Sequence, residues 1–457
     1  MMIFSDYGKR MKHSATPEGE LTLSSLFFPF FIEMILINMI GTVNTLALSH
    51  YSDHAVAAVG AASQLMGMIF TFYGVISAGA SIVISQNLGA KNNERAANAA
   101  VISIIFSATL SIFLGTFLSI FAHPLLATMQ LKDDLLTQAT TYFHICIAFS
   151  FFQAINSSLS GILRSYGRPK VAVKVSIFMN IINAILNYIV VFRPFETPLS
   201  GVKGIAISAV ISQGSGLLLM TILFIRTSLK VHFSKSVFQH LDIIGKILRI
   251  GVPGGVTSLS YSLSQVISTS IIATLGATAI TSKIYLENIF FYVYVLGLAL
   301  GQSTSILISR LVGAREFDHA YQLNKRNLKI TICCNIILSF CICLFGGHII
   351  RIFTSDPEII HIARKIMFID LFVEIGRGFN HIEGNSLRGA GDVMFPMVVS
   401  IASCWIMSIL FSYILGVKLE LGLLGCWIAF AMDELFRGTL FFKRWRSRKW
   451  TTKSIVI

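Results

Sequence analysis

The sequence predicts an all-α integral membrane protein, with twelve transmembrane helices in two pseudo-symmetric six-helix lobes. An apolar composition, a recurrence of bilayer-length apolar runs and a duplication at one fixed displacement each lead there. Hydrophobic residues make up 54% of the 457 and charged residues only 13%, and the mean hydropathy is +0.74. A water-soluble chain of this length has no need of so much apolar surface. The stretch Ser-Ile-Val-Ile-Ser-Gln-Asn-Leu-Gly-Ala at Ser81–Ala90 returns as Ser-Ile-Leu-Ile-Ser-Arg-Leu-Val-Gly-Ala at Ser305–Ala314, displaced by 224 residues. The same displacement carries Pro29 to Pro253, Asn156 to Asn380, Leu163-Arg164 to Leu387-Arg388 and Gly167 to Gly391. One unit is present twice.

Apolar runs of about 20 residues or more, the length of a membrane-crossing helix, fall at 22–48, 56–86, 96–122, 137–163, 170–192 and 202–226. Six more follow at 243–275, 280–310, 325–353, 361–388, 394–418 and 421–442. Six spans return the chain to its starting side, so the copies are parallel and related by an axis along the membrane normal. The expected organisation is a cytoplasmic tail at 1–20 and an N-lobe at 21–226. A cytoplasmic connector at 227–245, a C-lobe at 246–442 and a basic cytoplasmic tail at 443–457 complete it. The connector is the longest polar interruption and holds Lys230, His232, Lys235, His240 and Asp242. The first twenty residues include Asp6, Lys9, Arg10, Lys12, Glu18 and Glu20 and lack the apolar centre of a cleavable signal. Span 1 is therefore expected to stay as an anchor.

The net charge of +14 raises nucleic acid as a partner, and its placement argues against that. With the N-terminus inside, loops on that side hold about 27 Lys and Arg and the opposite loops about 8, which is the positive-inside bias. Both termini are then cytoplasmic, and the protein sits in the plasma (inner) membrane of the cell, in contact with lipid. The seven cysteines all lie inside apolar segments and need no redox role. Nothing points to a cofactor beyond a coupling ion, or to an assembly larger than a monomer.

The spans differ in what they carry. Span 1 holds Pro29, which removes a backbone hydrogen bond, followed by Glu33, Asn38 and Asn44. Pro29 and its copy Pro253 sit either in a first turn or at a hinge. Glu33 either reaches the membrane interface or has a role in ion coupling. Span 2 carries Gly60, Gly67 and Gly74, and span 8 carries Gly297 and Gly301, small residues that let backbones approach closely. Gln64 on span 2 joins the cavity candidates. Span 5 holds Asn180, Asn183 and Asn187, the last two one turn apart on one face. Span 7, from Ser258 to Ser270 through Tyr261 and Gln265, is too polar to face lipid all round.

Acids inside spans call for a reason, since a charge at bilayer depth costs on the order of 3 kcal/mol. Glu287, beside Asn288 on span 8, has only Lys283 as a nearby base. Protonating a glutamate of ordinary acidity at pH 7 costs roughly 3.7 kcal/mol, close to the cost of keeping it charged there. A carboxyl balanced in this way can take up and release a proton. Span 10 holds Asp370, Glu374, Arg377, His381 and Glu383. Glu374 and Arg377 are three apart and can pair, which leaves Asp370 as the better titrating group and Arg377 as a possible contact for an anionic substrate group. On span 12, Asp433 and Glu434 can pair with Arg437 and read as structural.

Several segments together resemble the multidrug and toxic compound extrusion (MATE) family. They are Pro29 with Gly41-Thr-Val-Asn44-Thr, Ser85-Gln-Asn-Leu-Gly89-Ala90, and Asn183-Ala-Ile-Leu-Asn187-Tyr188 before Gly201-Val-Lys-Gly204. To these add Leu387-Arg-Gly-Ala-Gly-Asp392, then Gly422-Leu-Leu-Gly425-Cys-Trp427 and Asp433-Glu434. The resemblance covers about 22–450 and implies two six-helix lobes that rock against each other. It also implies export of drugs, organic cations or metabolites in exchange for H+ or Na+. Many prokaryotic members carry aspartate where this chain has Asn44, and some where it has Asn187. An amide can coordinate sodium but cannot exchange a proton. Ion coupling is therefore expected to rest on Glu287 and on Asp370 or Glu374, with Glu33 as the outsider. The expected cavity residues are Asn44, Gln64, Asn180, Asn183, Asn187, Tyr261, Gln265, Asn288 and Arg377.

Internal duplication in an apolar chain independently points to a secondary transporter. A lipid-linked saccharide flippase is the alternative within transport, although the interior is acidic and amide-rich. An integral-membrane enzyme would need clustered His, Asp or Ser at one membrane face, and no such cluster, Walker loop or metal-ligand pattern is present.

Overall fold

A computed structural model of the chain describes residues 15–16, 19–50, 52–129, 131, 133–192, 201–227, 229 and 240–456. Most of the expected connector, and residues 193–200, lie outside them. A two-residue antiparallel pairing, Ala15–Thr16 with Gly19–Glu20, precedes the helices. Helices α1 (Leu23–Ser49), α2 (Asp53–Gly89), α3 (Asn93–Ile120) and the short α4 (Ala122–Ala127) follow. Next come α5 (Asp133–Ala148), α6 (Phe151–Ser165), α7 (Pro169–Phe192) and α8 (Gly201–Arg226). The second half holds α9 (Asp242–Ala273), α10 (Ala277–Gly313), α11 (Phe317–Arg351) and α12 (Pro357–Phe379). A π turn, Asn380–Gly384, joins α12 to α13 (Asn385–Gly389). Helix α14 (Met394–Ser403) runs into further π turns at Cys404–Leu410 and Ser412–Lys418, and α15 (Gly422–Arg446) ends the bundle.

Helices α5 and α6 meet at a 47° bend and act as one broken span. With α12–α13 and α14 each taken as continuous, the helices match the twelve apolar runs. Among the described residues, eight helices, or nine spans with the bent pair, are long and apolar enough to cross a membrane by length and composition. Helix α9 falls short through its serines and threonines, and α12 and α15 through embedded charges.

The duplicated sequence builds duplicated turns. At the end of α6, Arg168 N–H donates to the Leu163 carbonyl at 2.7 Å, and Gly167 takes φ +80°. At the end of α13, Asp392 N–H donates to the Leu387 carbonyl at 2.9 Å, and Gly391 takes φ +93°. Both are helix caps that need a left-handed residue, which is why glycine stands at each. The other duplicated turn places Lys91 at φ 60° and Arg315 at φ 61°.

The described chain divides into two compact units. The first comprises residues up to Ile84 together with Asn92–Gly251, and the second comprises Ser85–Lys91 with Val252 onward. The boundary therefore runs through α9 and leaves the end of α2 with the second unit. In the first unit, α7 packs on α1 and α8, and α3 packs on α5 and α6. Its core gathers Leu48, Ala58, Tyr73, Phe143 and Ile147. In the second unit, α12 packs between α11 and α15 around Leu286, Ile366, Met367 and Trp427.

The glycine expectation holds on one span and fails on the other. A Cβ at Gly301 would collide with the His381 carbonyl, and one at Gly297 would lie 2.9 Å from the His381 ring. At Gly60, Gly67 and Gly74 a Cβ would meet nothing within 4 Å among the described residues. The close approach instead uses the duplicated turns: Gly89 lies against the Arg310 carbonyl and Gly313 against the Gln86 carbonyl. Pro29 and Pro253 both lie inside their helices, α1 and α9, and not in a first turn.

The described part of the basic segment, residues 443–456, packs against the second unit. Trp450 is buried and stacks on Trp445 with ring centroids 4.2 Å apart. Arg444 pairs with Asp392 at 2.7 Å and Arg448 with Asp318 at 2.6 Å. Ser454 Oγ and Ile455 N–H donate to Gln86 Oε1 at 3.2 and 3.0 Å. Gly313→Val is expected to lower the thermal midpoint of the purified protein by several degrees. Gly60→Ala should leave it unchanged or slightly raised, since alanine is the better helix former. Equal melting of the two variants would refute the close approach.

Candidate functional site

The first unit brings together the amides of spans 1 and 5. Asn187 Nδ2 donates to Asn44 Oδ1 at 2.7 Å and to Asn183 Oδ1 at 3.2 Å, and all three residues are buried. The four-residue spacing on α7 puts Asn183 and Asn187 on one face, and the packing of α1 on α7 delivers Asn44. Asn187 Oδ1 and Asn183 Nδ2 keep no hydrogen-bond partner, and the buried Tyr142 hydroxyl interacts with Asn44 and Ser63. Asn180 lies one turn away and donates to the Leu36 and Ser176 carbonyls, each at 2.9 Å. Gln64 is exposed.

Glu33 has a charged partner within the first unit. It is buried and pairs with Arg164 at 2.9 Å, while that guanidinium lies over the Phe30 ring at 4.5 Å. Arg164 belongs to the duplicated Leu-Arg turn, so the scaffold itself supplies the counter-ion.

The second unit concentrates charge where α12 meets α15. Gly376 permits the approach: a Cβ there would lie 2.7 Å from Glu434 Cβ. Glu374, which is 0% exposed, pairs with Arg377 at 2.5 Å. Arg377 Nε also lies 3.8 Å from Glu434, and Arg437 reaches Glu434 at 2.9 Å and Asp433 at 3.0 Å. Asn380 on the π turn donates to Glu434, and Ser403 donates to Asp433 at 2.5 Å. Asp370 is buried one turn before Glu374. It accepts from Trp427 Nε1 at 2.8 Å through Oδ1, and its Oδ2 has no hydrogen-bond partner. Tyr294 lies beneath Arg377, with the guanidinium 5.7 Å from the ring centroid. Tyr261 on α9 interacts electrostatically with Arg377, Glu434 and Arg437. Gln265, one turn further on, is half-buried.

Span 8 corrects the expectation of a lone buried acid. Glu287 is 51% exposed at its side chain and pairs with Lys283 at 2.7 Å. It is the lysine that is buried, and it also donates to Thr269 at 3.0 Å. The four-residue spacing puts both on one face of α10, and the carboxylate extends outward from the lysine. Asn288 is exposed and returns its amide to the Ile284 carbonyl at 2.8 Å.

The sequence assigns no site role to Trp427, Asn335 or Tyr294, and it pairs Asp433 and Glu434 with Arg437 alone. Asn335 on α11 donates to the Glu374 carbonyl at 2.9 Å and to Glu374 Oε2 at 3.4 Å. No local spacing ties residues 57 apart, such as Asp370 and Trp427. The usable signal was an amide and an indole inside membrane-length spans. Among the described residues no group of three or more His, Cys, Asp or Glu could hold a metal ion.

The MatE family model matches residues 29–189 and 253–414, two stretches that begin 224 residues apart. The chain is 38% identical over 436 residues to an uncharacterized transporter, YisQ, of Bacillus subtilis (strain 168), covering 95% of this chain and 96% of that one. It is 25% identical over 462 residues to a probable multidrug resistance protein, NorM, of Thermotoga maritima, covering 100% and 98%. Among solved structures it resembles a MATE protein crystallised in the bent conformation, with a TM-score of 0.86 at 22% identity over 93% of this chain and 94% of that one. A MATE multidrug resistance transporter in an outward-facing conformation gives 0.86 at 22% identity, over 97% and 98%.

Arg164→Met leaves Glu33 buried without its partner and is expected to cost about 3–5 kcal/mol. Adding Glu33→Gln should return part of that loss in a denaturant or thermal unfolding cycle. Strictly additive effects would show that the pair does not act as one unit.

Proposed function

Because this chain belongs to the multidrug and toxic compound extrusion family, whose members are transporters and not enzymes, we propose that it is a secondary active exporter. It moves drugs, organic cations or metabolites out of the cell in exchange for H+ or Na+, by alternating access of its two lobes. The observation that carries this reading is a charge imbalance inside the second unit. Among the described residues, the ion pairs to Glu374, Asp433 and Glu434 come from Arg377 and Arg437, and Asp370 has none. Buried charge is tolerated when compensated, and here the carboxyls outnumber the guanidiniums. A proton or sodium ion at Asp370, whose Oδ2 is unmatched among the described residues, offsets one of the two excess negative charges. Loading that site weakens the hold of the acids on Arg377, and unloading restores it. Such a change can couple an ion to the packing of α12 on α15.

The N-terminal triad of Asn44, Asn183 and Asn187 cannot exchange protons and serves in this reading as a polar substrate or sodium contact. Acidic surroundings favour cationic solutes, and the multidrug resistance name of the Thermotoga maritima relative supports drugs among them. The protein works as a monomer in the plasma membrane, with both termini cytoplasmic.

The test is ion-driven uptake of ethidium into inverted vesicles from a host lacking its own exporters, with and without sodium. Asp370→Asn is expected to abolish the ion-driven component, and Glu287→Gln, at an exposed pair, to retain most of it. The reverse pattern would move coupling to span 8. Dependence on sodium in the absence of a pH gradient identifies Na+ as the coupling ion, and the opposite dependence identifies H+. Export of no compound in a wider drug and metabolite panel would sink the exporter reading.

A further inference from the structure

We propose that Glu383 is a second proton-binding site of the C-terminal unit, linked to Glu374 by a buried polar face of α11. The proposal rests on the reading that coupling lies in this unit, and it adds a route to it. Glu383 lies on the π turn that follows α12 and is 0% exposed. Asn324 Nδ2 donates to its Oε2 at 3.2 Å and to Ser386 Oγ at 3.0 Å. Its Oε1 is buried with no hydrogen-bond partner among the described residues. Beyond His381 and Arg388 on its own span, the elements packed against the turn carry Lys325 and Arg326 on α11, Arg310 on α10, and Glu434 and Arg437 on α15. No ion pair joins any basic group to Glu383 among the described residues. An unpaired carboxylate in such a place costs several kcal/mol, and the neutral acid far less.

Between the two acids a row of polar residues runs beside the buried Leu328 and Ile330. Asn324, Asn327, Thr331 and Asn335 recur at three- and four-residue intervals on α11, and all are buried. This spacing lines one side of a helix over about 16 Å. Asn335 touches Glu374 at one end, and Asn324 touches Glu383 at the other. Between them Asn327 donates to Thr304 at 3.0 Å, whereas Thr331 Oγ1 and Asn335 Oδ1 remain without partners. Buried polar atoms left unmatched cost about 1–3 kcal/mol each, and a row of them beside two carboxyls suits proton transfer along hydrogen-bonding groups.

The other copy serves as an internal control. A displacement of 224 takes Glu374 to Ser150, Glu383 to Leu159, and the α11 face to Ala100, Ser103, Ser107 and Ser111. There Ser103 donates to the Ala100 carbonyl at 2.8 Å, Ser107 pairs with Ser158 at 2.6 Å, and Ser111 donates to the Ala108 carbonyl at 3.0 Å. The same scaffold thus closes its polar face with no acid and no unmatched hydroxyl on those serines. Only helix packing is needed there, so the amides and acids of the second copy serve something else.

The experiment is infrared difference spectroscopy of the purified full chain across neutral pH, read at the carbonyl stretch of protonated carboxyl groups. One such band should vanish in Glu383→Gln, persist in Asp370→Asn and Glu374→Gln, and shift in Asn324→Leu, which keeps the acid but removes its donor. In vesicles, Thr331→Val is expected to slow proton-driven ethidium uptake by roughly tenfold while leaving the band in place. A spectrum unchanged by Glu383→Gln, or wild-type uptake in both Glu383→Gln and Thr331→Val, overturns the proposal. If Asp370→Asn leaves coupling intact, the reading of the coupling site falls, and the spectrum still decides Glu383 separately. Should Glu383→Gln fail to fold, the band shift in Asn324→Leu gives the same decision.

Discussion

Compensation of buried charge inside a helical unit is the constraint on which the second half of the molecule depends. Four carboxyls and two guanidiniums share the seam between α12 and α15. The seam exists because Gly376 and Gly438 let the two backbones approach. Removing one member of such a network leaves the others buried and unpaired, which costs more than the intact network contributes. The geometry of glycines and the placement of charges therefore cannot vary independently. The π turn at Asn380–Gly384 belongs to the same arrangement. It aims Asn380 at Glu434 and sets Glu383 toward Asn324, on a different flank of the span.

Duplication explains how a scaffold can be kept while its interior diverges. The caps at Gly167 and Gly391 and the turns at Lys91 and Arg315 repeat because backbone geometry is indifferent to what lies deeper in the lobe. The interior does not repeat. Where the first unit places an amide triad and the buried ion pair of Glu33 with Arg164, the second places a buried charge network. Even the shared Leu-Arg turn is used differently. Arg164 neutralises an acid, while Arg388 contacts the neutral Asn385 at 3.4 Å.

Much of the candidate site was legible in the residues, and the part that was not has a common cause. Helical spacing foretold Glu374 with Arg377 and Asp433 with Arg437, because partners three or four apart must share a face. The pairing of Asn183 with Asn187 followed in the same way. Glu287 was misjudged because periodicity says which residues share a face but not whether that face is buried. Its lysine took the interior position. The small-residue stripe at Gly60, Gly67 and Gly74 failed for the same reason, since it lies where no neighbour approaches. Trp427 with Asp370, and Asn324 with Glu383, join residues 57 and 59 positions apart, and no local rule reaches that far.

The sequence by itself determined the membrane-spanning helices, their number, the two copies and the duplicated caps. These follow from apolar length, fixed displacement and local backbone chemistry. The tertiary structure alone decided which embedded acids are paired, which are exposed and which keep an unmatched oxygen. Those outcomes depend on how α10, α11, α12 and α15 pack against one another, and each charged group is stable only where a neighbouring helix brings it a partner.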